Sequence, residues 1–282
     1  MRLVTYEAAG RVGVGAERGD AVFDTGYADM HDLIASGDEG LARAAAAVEA
    51  GVAVEGAALK VPIVPGKVLC CGINFRSHGA EAASANVPQE PYFFAKLPSA
   101  VSGPGDPIVI PFPEAKVDWE VELAFVVGRR AKNVAAADAL DHVFGYTLLH
   151  DVSARAVQLE WTSRTQDSQI TLGKNPDGFS PIGPAIVTKD EIPDPNDVRI
   201  GTWVNGVQKQ DASTADWLFT IPVLVEFLTR LVTLEPGDVV STGTPAGIGY
   251  FRDPPEFLQP GDEVTIGAEG IGRLTNPVVA GW

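Results

Sequence analysis

In Asp118-Trp119-Glu120-Val121-Glu122-Leu123 two glutamates stand two residues apart, and a third acid, Asp151, follows in His150-Asp151-Val152-Ser153. Oxygen donors of this kind suit a hard divalent cation such as Mg²⁺ or Mn²⁺ rather than zinc, and no Cys or paired His completes a softer set. Residues 119–127 begin with strict alternation and are rich in Val, Leu, Phe and Trp, which predicts a strand. On a strand Glu120 and Glu122 share one face, with Cα atoms about 6.5–7 Å apart. Acids alternating on a strand also describe an ordinary solvated face. Residues 123–127, however, are continuously apolar, as in a strand buried on both sides. Two carboxylates there repel each other and are costly to dehydrate, unless a cation neutralises them or one keeps its proton. Asp151 closes a second apolar run, residues 144–149, and can bring a third oxygen from a neighbouring strand.

Three other segments carry groups suited to chemistry. Cys71-Gly72-Ile73-Asn74-Phe75-Arg76-Ser77-His78 leaves a strand through glycine and enters a short Ala-rich helix over residues 77–84. His78 and Glu81 fall at i and i+3 on that helix, hence on one face. A carboxylate beside an imidazole raises its basicity and fixes its orientation, so the pair is a candidate general base for water; a solvated turn with an incidental contact is the plainer account. Lys174, in Thr171-Leu172-Gly173-Lys174-Asn175, precedes a loop-like stretch and can point into a cleft. A cation there would stabilise a developing enolate, although most lysines are simply solvated. Ser241-Thr242-Gly243-Thr244-Pro245-Ala246-Gly247 follows a short apolar strand, and its glycines let backbone amides approach an anion closely. It is neither a P-loop nor a dinucleotide fingerprint. It reads as a carboxylate-binding turn or as a tight structural one.

The elements that position these groups are mostly strands. Up to Gly66, short strand-like segments alternate with a helical stretch around residues 41–50, and Val61-Pro62-Ile63-Val64-Pro65-Gly66 reads as an extended linker, because each proline pushes its predecessor out of helix. The expected organisation is a small N-terminal domain, residues 1–65, and a catalytic domain, residues 66–282. In the second, short β-like runs separated by Pro and Gly dominate, with helical candidates near residues 77–84, 136–143, 152–160 and 221–231. The fold class is therefore α+β, mostly β. Adjacent Cys70 and Cys71 lie in an apolar segment and cannot close a disulfide framework.

Composition narrows the function. The chain has 282 residues, 45% of them hydrophobic, enough for a full core. A net charge of −16 argues against nucleic acid or an anionic membrane as partner, so an anionic substrate needs local positive charge. Met1-Arg2-Leu3-Val4-Thr5-Tyr6-Glu7 lacks the apolar core of a signal peptide and no run matches a membrane span, from which a cytoplasmic protein is expected.

Taken together, the motifs resemble the fumarylacetoacetate hydrolase family over residues 67–271. The hallmarks are Gly72-Ile73-Asn74-Phe75 through His78, Phe93-Phe94-Ala95-Lys96, Asp118-Trp119-Glu120-Val121-Glu122-Leu123, Gly145-Tyr146 through Asp151-Val152-Ser153-Ala154-Arg155, Gly173-Lys174, Asp177-Gly178-Phe179 and Ser241-Thr242-Gly243-Thr244-Pro245. The resemblance implies a rolled mixed β-sheet, usually in a homodimer, and Mg²⁺ or Mn²⁺ held by Glu120, Glu122 and Asp151. It makes His78 and Glu81 a water-activating pair on a lid and Lys174 the enolate-stabilising lysine. It also puts Arg76, Lys96, Gln158, Gly243 and Thr244 around the substrate, with Thr244 near its carboxylate. Two positions depart from the pattern: Ala156 stands where an acid is common, and Lys96-Leu97-Pro98 replaces a Lys-Pro pair.

The activity so implied is hydrolysis of a C–C bond in an acylpyruvate or related 2,4-diketo acid, giving pyruvate and a carboxylic acid. A 2-oxo acid chelates such a metal through its carboxylate and 2-oxo oxygens, and the leaving pyruvate enolate is stabilised there. The same core serves oxaloacetate decarboxylation or tautomerisation, which need an enolate but no hydrolytic water. A non-catalytic protein with a structural cation is the alternative from another class.

Overall fold

The computed structural model describes residues 1–82, 88–161 and 167–281. Its largest element is an 11-stranded mixed, open sheet. From edge to edge this sheet runs through Ala21–Asp24, Arg11–Arg18, Arg2–Ala8, Ser180–Thr188, Val143–His150, Val121–Val127, Val239–Ser241, Val68–Cys71 and Phe93–Lys96. Ala58–Lys60 and Val101–Ser102 pair alongside. A second sheet of five strands joins Val207–Ser213, Arg199–Val204, Glu263–Ala268, Gly272–Ala280 and Ile108–Ile110. The mostly β architecture is the one the sequence predicts.

Val121–Val127 is the spine of the large sheet, buried at every residue and paired antiparallel on both sides. Its β-branched and aromatic side chains suit that position. Val121, Leu123, Phe125 and Val127 feed one core cluster, while Ala124 and Val126 feed another on the opposite face. Glu122 follows the alternation onto the second face and Glu120 precedes it, so the acids sit where that apolar face ends. The expected strand from residue 119 begins instead at Val121, because Val117–Asp118 leaves to pair with Ser153–Ala154.

Residues on both sides of the Val61–Gly66 segment share one sheet, since Arg2–Ala8 pairs antiparallel with Ser180–Thr188. Leu33, Ile34 and Ala44, from helices Met30–Ala35 and Asp38–Ala50, join Leu3, Val14, Ala124 and Val126 in one cluster. The helix expected near residues 221–231 is Ile221–Leu231, with Pro222 in its first turn, where a missing N–H costs nothing. The one expected near residues 136–143 is a 3₁₀ segment, Ala136–His142. Residues 152–160 are not one helix: a two-residue strand precedes a single wide turn, Ala156–Glu160. The helix expected over residues 77–84 is Arg76–Glu81, and positions 83 and 84 lie outside the described residues.

Candidate active site

Three carboxylates meet at the end of the central strand. Pairing sets Val121 opposite His150, and the Asp151 N–H donates to the Glu120 carbonyl at 3.0 Å, which brings Asp151 beside Glu120. One oxygen from each of Glu120, Glu122 and Asp151 lies within 4.8 Å of the others, and all three residues are buried. The apolar runs found in the sequence thus deliver their acids to one point.

Three cations surround them. The Lys174 Nζ, at the end of helix Ile170–Lys174, donates to Glu120 Oε2 at 2.7 Å and Asp151 Oδ2 at 2.6 Å. The Lys96 Nζ donates to Asp151 Oδ1 at 2.7 Å and to the Lys174 carbonyl. Arg155 donates through Nε to Asp118 Oδ2 at 2.8 Å, through Nη2 to Glu120 Oε1, and through Nη1 to Gln158 Oε1 at 2.9 Å. Glu122 is served only by uncharged donors, the Ser241 hydroxyl and the Gly243 N–H at 3.2 Å; among the described residues no ion pair reaches it.

The protonation equilibria follow from these contacts. Burial alone would raise the Glu120 pKa, but the charges of Lys174 and Arg155 outweigh it and hold the carboxyl well below its ordinary range. Glu122 moves the other way: burial, then the charges of Asp151 and Glu120, push it well above the usual carboxylate value. Lys174 loses by burial, yet Asp151 and Glu120 keep its pKa above that of an ordinary lysine. His150 is pushed down to about 3, chiefly by burial and then by Lys96. A divalent cation fits this donor set, since it would offset the repulsion that raises the Glu122 pKa and would find three hard oxygen ligands.

Beside the triad lies a cavity of about 90 Å³, with His78, Tyr92, Gln158 and Thr244 on its walls. A Cβ at Gly72 would fall 1.9 Å from the Tyr92 ring, so a side chain there would displace that ring from the cavity wall. His78 Nδ1 is 3.7 Å from Glu81 Oε2, too far for a hydrogen bond. Glu81 Oε2 instead accepts the Gly247 N–H at 2.9 Å, and the His78 ring packs 6.1 Å from that of Phe251.

The cavity thus gathers His78, Lys174, Gln158, Thr244 and the three acids. The other expected substrate contacts do not line it. Arg76 is exposed and donates to the Trp217 carbonyl at 2.5 Å, Lys96 sits behind Asp151, and Gly243 contacts Glu122 through its backbone. Arg76 projects outward because it opens helix Arg76–Glu81, while His78 is on its inner side.

Asp118, Ser241 and Gln210 were not anticipated. Asp118 is fully buried and accepts N–H groups from Trp119, Gly249 and Tyr250 besides its bond to Arg155. Its position two residues before Glu120 was the available signal, since a third buried acid in the same run demands a cation. Gln210 carries no such sign in the sequence.

A β-rich fold presenting a buried acid triad, an embedded lysine and a small polar cavity defines an enzyme of the metal-assisted type. Residues 67–279 match the family described as fumarylacetoacetate (FAA) hydrolase, C-terminal. The chain is 40% identical to oxaloacetate tautomerase fahd2, mitochondrial, of Xenopus laevis, an alignment covering 99% of this chain and 90% of that one. A fumarylacetoacetate hydrolase from psychrophilic Exiguobacterium antarcticum superposes with a TM-score of 0.86 at 34% identity, covering 99% of each chain. Maleylpyruvate hydrolase from Sphingobium sp. SYK-6, in complex with manganese(II) and pyruvate, superposes at 0.83 with 31% identity over the whole of both chains. The chain is an enzyme belonging to the fumarylacetoacetate hydrolase family. One expectation falls here: a cytoplasmic location conflicts with the mitochondrial Xenopus relative. The inference rested on the missing apolar leader core, and an organelle-targeting segment is amphipathic and Arg-rich instead.

Proposed function

We propose that this enzyme interconverts the enol and keto forms of oxaloacetate, using a divalent cation at Glu120, Glu122 and Asp151. The observation that carries the reading is the 40% identity, over nearly all of both chains, to a protein named oxaloacetate tautomerase. This is the alternative that the sequence left beside hydrolysis, and it replaces hydrolysis as the main reading. Whether Mg²⁺ or Mn²⁺ is used is open to both, since each accepts hard oxygen donors. When bound, such a cation supplies Lewis-acid polarisation of a 2-oxo group.

The residues have compatible roles. Tautomerisation takes a proton from the C2 hydroxyl and adds one at C3, or the reverse, with the π bond moving between C2–C3 and C2–O, and it breaks no carbon–carbon σ bond. The Lys174 ammonium, buried against Glu120 and Asp151, can stabilise negative charge on that oxygen. His78 offers an imidazole on another wall to take or return the C3 proton. Transfer at carbon needs an imidazole alone, whereas a water-activating dyad needs a tight His–carboxylate hydrogen bond. The 3.7 Å gap between His78 and Glu81 therefore favours tautomerisation.

Hydrolysis of a C–C bond in a 2,4-diketo acid is the second reading, supported by the likeness to maleylpyruvate hydrolase. Both are tested by following enol-oxaloacetate absorbance in Mg²⁺ by stopped flow, with pyruvate and CO₂ assayed separately. Faster enol decay than with Mg²⁺ alone, without CO₂ and without pyruvate from diketo acids, supports tautomerisation. Pyruvate from a diketo acid, lost in His78→Ala, transfers the assignment to hydrolysis; CO₂ above background transfers it to decarboxylation.

A further inference from the structure

What Thr244 offers a ligand is decided by a residue from the other sheet. Gln210 is the only buried residue of strand Val207–Ser213 and is 1% exposed. Thr202 pairs with Gln210 but Trp203 with Gln208, so Lys209 is an extra residue in the ladder. A bulge of this kind re-aims its neighbours. Here Gln210 turns inward, toward the base of the acid pair, while Lys209 reaches Glu256 at 2.5 Å.

The Gln210 amide meets four groups. Its Oε1 accepts the Val121 N–H at 3.0 Å and the Thr202 hydroxyl at 2.7 Å; its Nε2 donates to Thr244 Oγ1 and to the Pro245 carbonyl, both at 2.9 Å. A backbone N–H can only donate and a carbonyl can only accept, so Val121 and Pro245 permit one orientation of the amide. Nε2 must then donate to Thr244. The Thr244 oxygen is used as an acceptor, and its own proton is left for the cavity that the side chain lines. Val121 also lies between Glu120 and Glu122, so the same amide ties this donor to the acid pair.

We infer that Gln210 is a positioning residue that commits the Thr244 hydroxyl to donate a hydrogen bond to the carboxylate of an anionic 2-oxo acid. The inference rests on the reading of the cavity as a 2-oxo acid site. It is independent of whether the bound acid is tautomerised or cleaved.

Gln210→Glu keeps the shape but, once ionised, has no proton for Thr244 or Pro245. Thr244 then turns its proton toward residue 210 and presents a lone pair to the ligand. The expected result is a rise of about tenfold or more in the Kd for pyruvate, measured by calorimetry in saturating Mn²⁺, and in KM for oxaloacetate. The accompanying change in kcat should stay within about threefold, as for an interaction made equally in ground and transition states. The loss should vanish when Gln210→Glu is made in a Thr244→Val background. Gln210→Met, of similar volume, drops all four hydrogen bonds and frees Thr244 to rotate, so it should lower the melting temperature yet weaken pyruvate less. If Gln210→Glu does not fold, Gln210→Met with and without Thr244→Val carries the same comparison. Affinity losses that are equal in both Thr244 backgrounds, or that simply follow melting temperature, overturn the assignment, as does a parent enzyme that binds no pyruvate. A parent that binds pyruvate but leaves oxaloacetate untouched removes the tautomerase reading while the binding comparison still decides the role of Gln210.

Discussion

The acid–cation layer and the His78 helix face the same cavity and are built in opposite ways. Glu120 and Asp151 stand just beyond the ends of adjacent central strands and are each held by buried cations. His78 stands on the six-residue helix Arg76–Glu81, tied by the Asp216 carboxylate on the Ser77 N–H, the Trp217 carbonyl on Arg76 and the Gly247 N–H on Glu81 rather than by buried ion pairs. Among the described residues its imidazole Nδ1 has no hydrogen-bond partner. Charge is placed where buried partners surround it, because an unpaired buried charge is expensive. His78, the group proposed to carry the proton, stands instead on a short helix and, among the described residues, takes no part in the acid–cation layer's ion pairs.

Four changes test that contrast, beginning with the largest effect. Asp151→Asn replaces one carboxylate oxygen of the proposed metal site with an amide nitrogen and removes the charge that pairs with Lys96 and Lys174. Turnover should fall by at least about 10²–10³-fold. The thermal stabilisation by added Mg²⁺, which is about 2.7 kcal/mol at a hundredfold excess over Kd for a bound site, should disappear with it. An Asp151→Asn enzyme that kept both would remove the metal assignment.

His78→Ala should slow turnover by about 10²–10⁴-fold, the usual worth of a general acid–base group, while Mg²⁺ still raises the melting temperature. Glu81→Gln, across a 3.7 Å gap, should cost about tenfold or less. Equal losses in the two variants would mean that the pair acts as a tight dyad, which would favour the hydrolytic reading.

Lys174→Met strips Glu120 and Asp151 of a shared partner. In chelator the unfolding free energy should drop by about 3–5 kcal/mol, as when one member of a buried ion pair is removed. Because a divalent cation supplies the missing charge, Mg²⁺ should restore more stability to this variant than to the parent; no differential rescue would place the lysine outside the metal's field.

The last test concerns pH. His150 is buried with its Nε2 unpartnered among the described residues, and its pKa is pushed down to about 3 from an ordinary value near 6.5. Below pH 6.5 the unfolded chain takes up a proton that the folded chain refuses, so this contribution to stability is complete above pH 6.5 and is lost as pH falls toward 3. Urea midpoints in chelator should decline through that window, and His150→Gln should flatten the slope. An unchanged slope would assign the acid sensitivity to the carboxylates instead.

Much of the site was legible because its residues advertise their cost. Glu120 and Glu122 interrupt the periodicity of an apolar strand, and Asp151 ends another, so the sequence alone named the three acids, the lysine and the family. The N-terminal strands were legible too, though not that Arg2–Ala8 would hydrogen-bond to Ser180–Thr188, nearly two hundred residues away. Arg76 and Lys96 show the limit. Both are cations near the right motif, yet one faces solvent and the other lies behind Asp151, a difference set by helix phase and strand order.

By itself the sequence determined the chemistry: which oxygen donors and which ammonium are present, and that burying them together demands compensation. Only the tertiary structure decided who compensates whom. Lys174 bridges Glu120 and Asp151, Glu122 is left among neutral donors, and Gln210 reaches from the second sheet to Val121 and Thr244. The reason is physical. Residue type and local periodicity depend on neighbours along the chain, whereas a buried charge or amide is satisfied by whatever group the strand order and register bring within about 3 Å.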